Sequence, residues 1–136
     1  MLRSTGVAKT TTSAAALVEG GVTRKLFPHG LGHSLGLVTH DVGCRQVAPR
    51  SDNPFLRNTS TIAVDQCFTI EPGCYFIPAL LQEARALPDG GGLRGDLLDA
   101  LVPFGGVRIE DNIHVTADGA DNLTRAFLPD AALGLA

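Results

Sequence analysis

Pro28-His29-Gly30-Leu31-Gly32-His33-Ser34-Leu35-Gly36-Leu37, with His40-Asp41-Val42-Gly43 close behind, is the stretch on which the reading of this chain turns. His29 and His33 stand four residues apart. On a helix that spacing would put both imidazoles on one face, as in zinc proteases, which also need a glutamate after the first histidine. Here the intervening residues are Gly, Leu and Gly, which disfavour a helix. The segment from His29 to Gly43 therefore reads as a shaped loop with short regular pieces. Glycine lets backbone approach a ligand or metal closely and frees an imidazole from a packed wall. Each of His29, His33 and His40 has a plainer reading as a loop or core histidine, but the three stand close together on one loop.

Two glutamates lie further along, each at the end of an apolar run. In Phe68-Thr69-Ile70-Glu71, period-two alternation sets Thr69 and Glu71 on one face, opposite Phe68 and Ile70. In Val107-Arg108-Ile109-Glu110, Arg108 and Glu110 share a face. Each run can project a carboxylate from a rigid strand, which suits a hard cation. The plainer alternatives are a solvated glutamate beside a turn and, for Arg108, a salt-bridge partner. One histidine with two glutamates suits manganese, zinc or iron. Spacing and composition identify no reaction.

Around these motifs the chain reads as short elements. Residues 10–20 form a helix, capped by Thr or Ser and stopped by Gly20-Gly21. Val22 to Phe27 reads as a strand and 47–60 as an exposed loop. Cys67 to Glu71 and Cys74 to Ile77 are strands around a Pro72-Gly73 turn. Residues 79–87 and Asp96 to Leu101 are helical, with a break at Gly90-Gly91-Gly92. Gly106 to Glu110 and Asn112 to Thr116 are strand-like, Pro129 to Ala136 is a loose tail, and no internal repeat is visible.

The 136 residues are one domain's worth, 44% hydrophobic and 18% charged, with a net charge of −3; this is globular composition. No Lys/Arg cluster points to nucleic acid or an anionic membrane. The N-terminus lacks the apolar run of a signal peptide, and no stretch approaches a transmembrane helix. Cys44, Cys67 and Cys74 are odd in number and lack C-x-x-C spacing, so they read as reduced thiols. The expectation is a cytoplasmic chain.

The histidine segment resembles that of the pita-bread metallopeptidases, and is most similar to aminopeptidase P and prolidase. Phe68-Thr69-Ile70-Glu71-Pro72-Gly73 and Gly105-Gly106-Val107-Arg108-Ile109-Glu110-Asp111 resemble that family's two glutamate segments, in order. Ala48-Pro49 through Pro54-Phe55-Leu56-Arg57, the Tyr75-Phe76-Ile77 run, Pro103-Phe104-Gly105-Gly106 and Asn122-Leu123-Thr124-Arg125 are similar to bacterial Xaa-Pro dipeptidases. The resemblance runs from about Ala15 to about Arg125. It implies an α/β (α+β) fold, mostly antiparallel strands with a few short helices, in which 1–136 is the C-terminal part of the catalytic domain. It implies metal-dependent hydrolysis of Xaa-Pro dipeptides with two divalent ions, manganese first, with zinc, cobalt or iron as alternatives. His33, Glu71 and Glu110 would be metal ligands, and Glu71 would also carry a proton. His29 and His40 would steady the substrate, and Arg108 would help hold Glu110 or the substrate. A homodimer is implied as well, and some relatives also cleave organophosphate triesters.

The sequence departs from that pattern in two places. The family's two metal-binding aspartates come from a segment upstream of the histidine loop, and here no Asp precedes Asp41. That leaves a second reading, a non-catalytic or orphaned pita-bread fragment acting as a binding module. The other departure is Val64-Asp65, where the family has a Pro-Gly turn. Half of a packed fold also leaves apolar surface uncovered. The chain is expected to self-associate, and light scattering showing a clean monomer at high concentration would contradict this.

Overall fold

Ser13 closes the threonine run by capping the first helix, α1 (Ala14–Glu19), its hydroxyl accepting from the Ala16 amide at 3.1 Å. A computed structural model describes residues 2 and 4–128, so the expected tail at 129–136 lies outside the described residues. Residues sort into two compact units, Met1–Pro28 with Gly73–Arg108, and His29–Pro72 with Ile109–Ala136.

In the first unit, α1 is followed by α2 (Val22–Leu26), where the sequence reading expects a strand over Val22 to Phe27. The packing explains the difference. A strand would put Val22, Arg24 and Leu26 on one face and bury a guanidinium. A helix puts Val22 and Leu26 four apart on one buried face, and Arg24 stays exposed. Helices α3 (Pro78–Arg85) and α4 (Gly95–Leu101) lie close to their expected positions, with a tight turn at Pro88–Gly92 and a further 3-10 turn at Val102–Phe104. The strands of this unit, β2 (Gly73–Tyr75) and β3 (Gly106–Arg108), pair antiparallel from Gly73↔Arg108 to Tyr75↔Gly106. Its interior is apolar: Leu17, Val22, Leu26, Phe76, Leu81 and Leu98 are among the side chains packed together. A fully buried leucine such as Leu98 contributes about 2 kcal/mol. Cys74 joins this core, and burial pushes its thiol above the ordinary range.

The second unit is built on a three-stranded antiparallel sheet, β1 (Cys67–Ile70), β4 (Asp111–Val115) and β5 (Ala120–Asn122), in the order β1-β4-β5. Its rungs run from Cys67↔His114 to Ile70↔Asp111, and from Ile113↔Asn122 to Val115↔Ala120. The β5 strand and the helix after it, α5 (Leu123–Phe127), had not been read from the sequence. Asn122 caps α5 by accepting from the Arg125 amide at 2.9 Å. Residues 47–60 are loop, as expected. Leu37, Val42, Phe55 and Phe127 are exposed apolar side chains of this unit. Among the described residues, no helix is long and apolar enough to cross a membrane.

The Val64-Asp65 departure has a structural counterpart. Asp65 adopts φ +69°, in the left-handed region that glycine occupies without strain. Its carboxylate is 3.5 Å from His114 Nε2 but largely exposed, so that contact contributes little. Asp65→Gly is expected to raise stability by about 1 kcal/mol, read as a higher denaturant midpoint; an unchanged or lower midpoint would show that the turn carries no strain.

Candidate metal centre

The histidine segment pairs edge to edge with β1. The Leu35 amide donates to the Cys67 carbonyl at 2.9 Å, Thr69 to His33 at 2.9 Å, and Glu71 to Leu31 at 2.7 Å. Residues 31–35 thus run antiparallel along β1, with a bridge at Ser34↔Phe68. This approach is closer than side chains permit: a Cβ placed on Gly32 would lie 1.8 Å from the Thr69 carbonyl oxygen. The glycine pattern that disfavours a helix is what lets the two motifs meet.

The pairing gives the unit an unusual interior. Among the described residues its buried side chains include Cys44 and Phe68, but also His33, Ser34, Thr69 and Glu71. Buried polar groups cost free energy unless hydrogen-bonded, and these are. His33 Nδ1 lies 3.1 Å from the Ser34 carbonyl oxygen, which can only accept, so Nδ1 carries the proton. The other ring nitrogen, Nε2, lies 3.3 Å from Glu71 Oε1. The Thr69 hydroxyl accepts from the His33 amide and donates to the same Oε1, both at 3.0 Å. An imidazole nitrogen and a carboxylate oxygen, both buried and 3.3 Å apart, make a donor pair suited to a divalent transition metal.

His40 stacks its ring edge-on against His33, with centroids 4.2 Å apart and planes at 85°. It is held there by the bend from Ser34 to Asp41, closed by the Asp41 amide donating to the Ser34 carbonyl at 3.1 Å. The Asp41 carboxylate accepts from the Gly43 amide at 3.0 Å and occupies space that a Cβ on Gly36 would need. His29 is half-buried and its Nδ1 lies 2.7 Å from the Gly30 carbonyl oxygen.

Glu110 shares a rung with Glu71. The β1–β4 register ends at Ile70↔Asp111, and beyond it the Ile109 amide donates to the Pro72 carbonyl at 3.1 Å. Residues 71 and 110 are opposite each other between those two points. Their side chains differ in setting, Glu71 buried and Glu110 exposed. Among the described residues, no three His, Cys, Asp or Glu side chains are gathered closely enough to hold a cation. The fit to a metal therefore rests on the His33–Glu71 pair, and Glu110 joins it by backbone register alone. Arg108 belongs to the first unit, where its Nε donates to the Tyr75 hydroxyl at 2.6 Å and its guanidinium lies 5.7 Å from that ring's centroid.

Three supports went unrecognised in the sequence. Thr69 and Tyr75 had been read only as strand residues. Asp111 is held by Asn122 Nδ2 at 3.0 Å and Arg125 Nε at 2.8 Å, which anchors the chain directly after Glu110. The order Asp111…Asn122-Leu-Thr-Arg125 carries the necessary donors, but only the hairpin brings them together.

Comparison with known proteins adds to this geometry. Residues 5–117 match the model of metallopeptidase family M24. The Xaa-Pro dipeptidase of Marinobacter nauticus is 51% identical over 110 residues, covering 81% of this chain and 26% of its own length. That of Shewanella piezotolerans is 45% identical over 124 residues, covering 86% and 28%. Zinc-substituted Escherichia coli aminopeptidase P in complex with product superposes with a TM-score of 0.58 at 30% identity, covering 98% of this chain and 25% of that one. Proline aminopeptidase P II from Yersinia pestis gives 0.56 at 30% identity, covering 95% and 24%. The chain thus spans about a quarter of the length of these relatives. Its antiparallel strands and short helices match the pita-bread arrangement of aminopeptidase P.

The Gly32 contact yields a direct test. Gly32→Ala must push the histidine segment off β1, and a loss of about 3 kcal/mol is expected. Denaturant unfolding reads this, and a variant as stable as the unsubstituted chain would show that the edge pairing is looser than described.

Proposed function

Because the chain belongs to metallopeptidase family M24, we propose that it is the C-terminal part of the catalytic domain of a metal-dependent hydrolase of Xaa-Pro dipeptides. The observation that carries this reading is the buried His33–Glu71 pair, with Nε2 and Oε1 at 3.3 Å. The names of the relatives supply the substrate class.

In this reading His33, Glu71 and Glu110 hold divalent metal. Manganese is the first choice by resemblance to the family; the donor set itself suits zinc and iron equally. Bound metal supplies Lewis-acid polarisation of the scissile carbonyl. The chain's own residues do the rest. Glu71, held on its strand end, transfers a proton towards the leaving proline nitrogen. His40, steadied by the Asp41 bend, and His29 orient the dipeptide by hydrogen bonds from their rings. The resemblance also assigns Arg108 a part in substrate binding. The free thiols Cys44, Cys67 and Cys74 fit a reducing cytoplasm. The exposed Leu37, Val42 and Phe55 fit association with a second copy.

Hydrolysis of an Xaa-Pro dipeptide with added manganese tests the proposal. Turnover by the purified chain is expected to vanish in His33→Ala and in Glu71→Gln. Turnover that survives both substitutions would refute the assignment of these residues. Its absence from the unsubstituted chain would show that this quarter of the relatives' length does not suffice for catalysis.

A further inference from the structure

We propose that Thr69 is a positioning residue, whose hydroxyl fixes the Glu71 carboxylate in the orientation that lets it share a divalent cation with His33. The inference rests on the metal-site reading given above.

The argument starts from the freedom of a glutamate. The terminal torsion of Glu is broad, because rotation about an sp³–sp² bond has no deep staggered wells. A carboxylate at a strand end therefore does not hold its oxygens in one plane without help. Thr69 stands two residues earlier on β1, where period-two alternation puts its side chain on the same face. Its Oγ1 is 3.0 Å from Glu71 Oε1.

The direction of that bond is determined by a second one. The hydroxyl has one proton and two lone pairs. The His33 amide donates to Oγ1 at 3.0 Å, which occupies one lone pair. The proton is left to choose between Glu71 Oε1 at 3.0 Å and the His33 carbonyl at 3.5 Å, and the shorter contact wins. The two bonds link the His33 backbone through the Thr69 hydroxyl to Glu71 Oε1, which lies 3.3 Å from His33 Nε2. One hydroxyl thus ties the histidine segment to β1 and sets the carboxylate against the imidazole of that same histidine.

Burial makes the hydroxyl hard to replace. Thr69 is 1% exposed, and His33 and Glu71 are each 5% exposed. Water has little access with which to substitute for a missing donor. The β-branched side chain also restricts χ1, so hydroxyl and methyl keep distinct directions. Valine has the same shape without the hydroxyl and is the appropriate probe. Serine keeps the hydroxyl and drops the methyl.

Titration calorimetry with Mn²⁺, on the full chain and on Thr69→Val and Thr69→Ser, tests the proposal. Visible spectra of the Co²⁺-loaded proteins report ligand geometry, and thermal unfolding reports the fold. Thr69→Val is expected to lose roughly 10–100-fold in Mn²⁺ affinity, the usual cost of removing a group that orients a ligand. Its Co²⁺ spectrum should change, while Thr69→Ser keeps both the affinity and the spectrum of the unsubstituted chain. Should the valine variant lose cooperative unfolding, Thr69→Ala takes its place in the same comparison. Unchanged Mn²⁺ affinity in the valine variant overturns the inference. Equal losses in the serine and valine variants overturn it too, because packing would then be the cause. If the unsubstituted chain binds neither Mn²⁺ nor Co²⁺, the metal-site reading itself fails and this inference falls with it.

Discussion

The edge pairing between residues 31–35 and β1 is the contact on which the rest of the second unit depends. Three backbone hydrogen bonds, from Leu35 to Cys67, Thr69 to His33 and Glu71 to Leu31, join segments 36 residues apart at the Thr69–His33 rung. Closing a loop of that length costs entropy that grows only slowly with its size. The hydrogen bonds and the burial of Phe68 offset it. The close approach at Gly32 is part of the same device, because a methyl group there would lie 1.8 Å from a carbonyl oxygen. The approach of His33 to Glu71 follows from this pairing.

The two units solve the problem of an interior differently. The first buries apolar side chains from four helices, β2 and the segments flanking them, with Leu98 and Ala84 wholly inaccessible. The second buries a histidine, a serine, a threonine and a glutamate beside Cys44 and Phe68. Such an interior is costly unless each polar group is satisfied. The Ser34 hydroxyl shows how: it donates to the Asp41 carbonyl at 3.0 Å and accepts from the Cys44 amide at 3.1 Å. The network stabilises a specific arrangement more than it adds hydrophobic free energy.

Much of this was legible in the residues, and the failures have physical causes. Glycine around His29 and His33 pointed correctly to a loop, and the Phe68–Glu71 alternation to a strand. Val22 to Phe27 reads as a strand only if Arg24 is overlooked; burial of Val22 and Leu26, four apart, with Arg24 exposed decides for the helix. The β5–α5 segment carried signals that went unused, an Asp118-Gly119 turn and an Asn122 cap. The metal-ligand candidates came from resemblance, not from periodicity. Spacing could not reveal that Thr69 lies between His33 and Glu71, because that depends on the register of a loop against a strand.

Register also bears on Glu110, the candidate that stays exposed. Glu71 and Glu110 occupy one rung, bracketed by Ile70↔Asp111 and by the Ile109–Pro72 hydrogen bond. Opposed residues in an antiparallel pair are about 5 Å apart at Cα, and like charges in that position destabilise it. A divalent cation between them reverses the sign. On the proposed reading, the rung is therefore a poor strand pair by itself and a good one around a metal. The backbone holds both residues to that rung, through the Glu71–Leu31 hydrogen bond on one side and the Ile109–Pro72 hydrogen bond beside Glu110. Metal affinity and the order of this strand end would then be two measures of one equilibrium, because whatever binds the ordered form stabilises it.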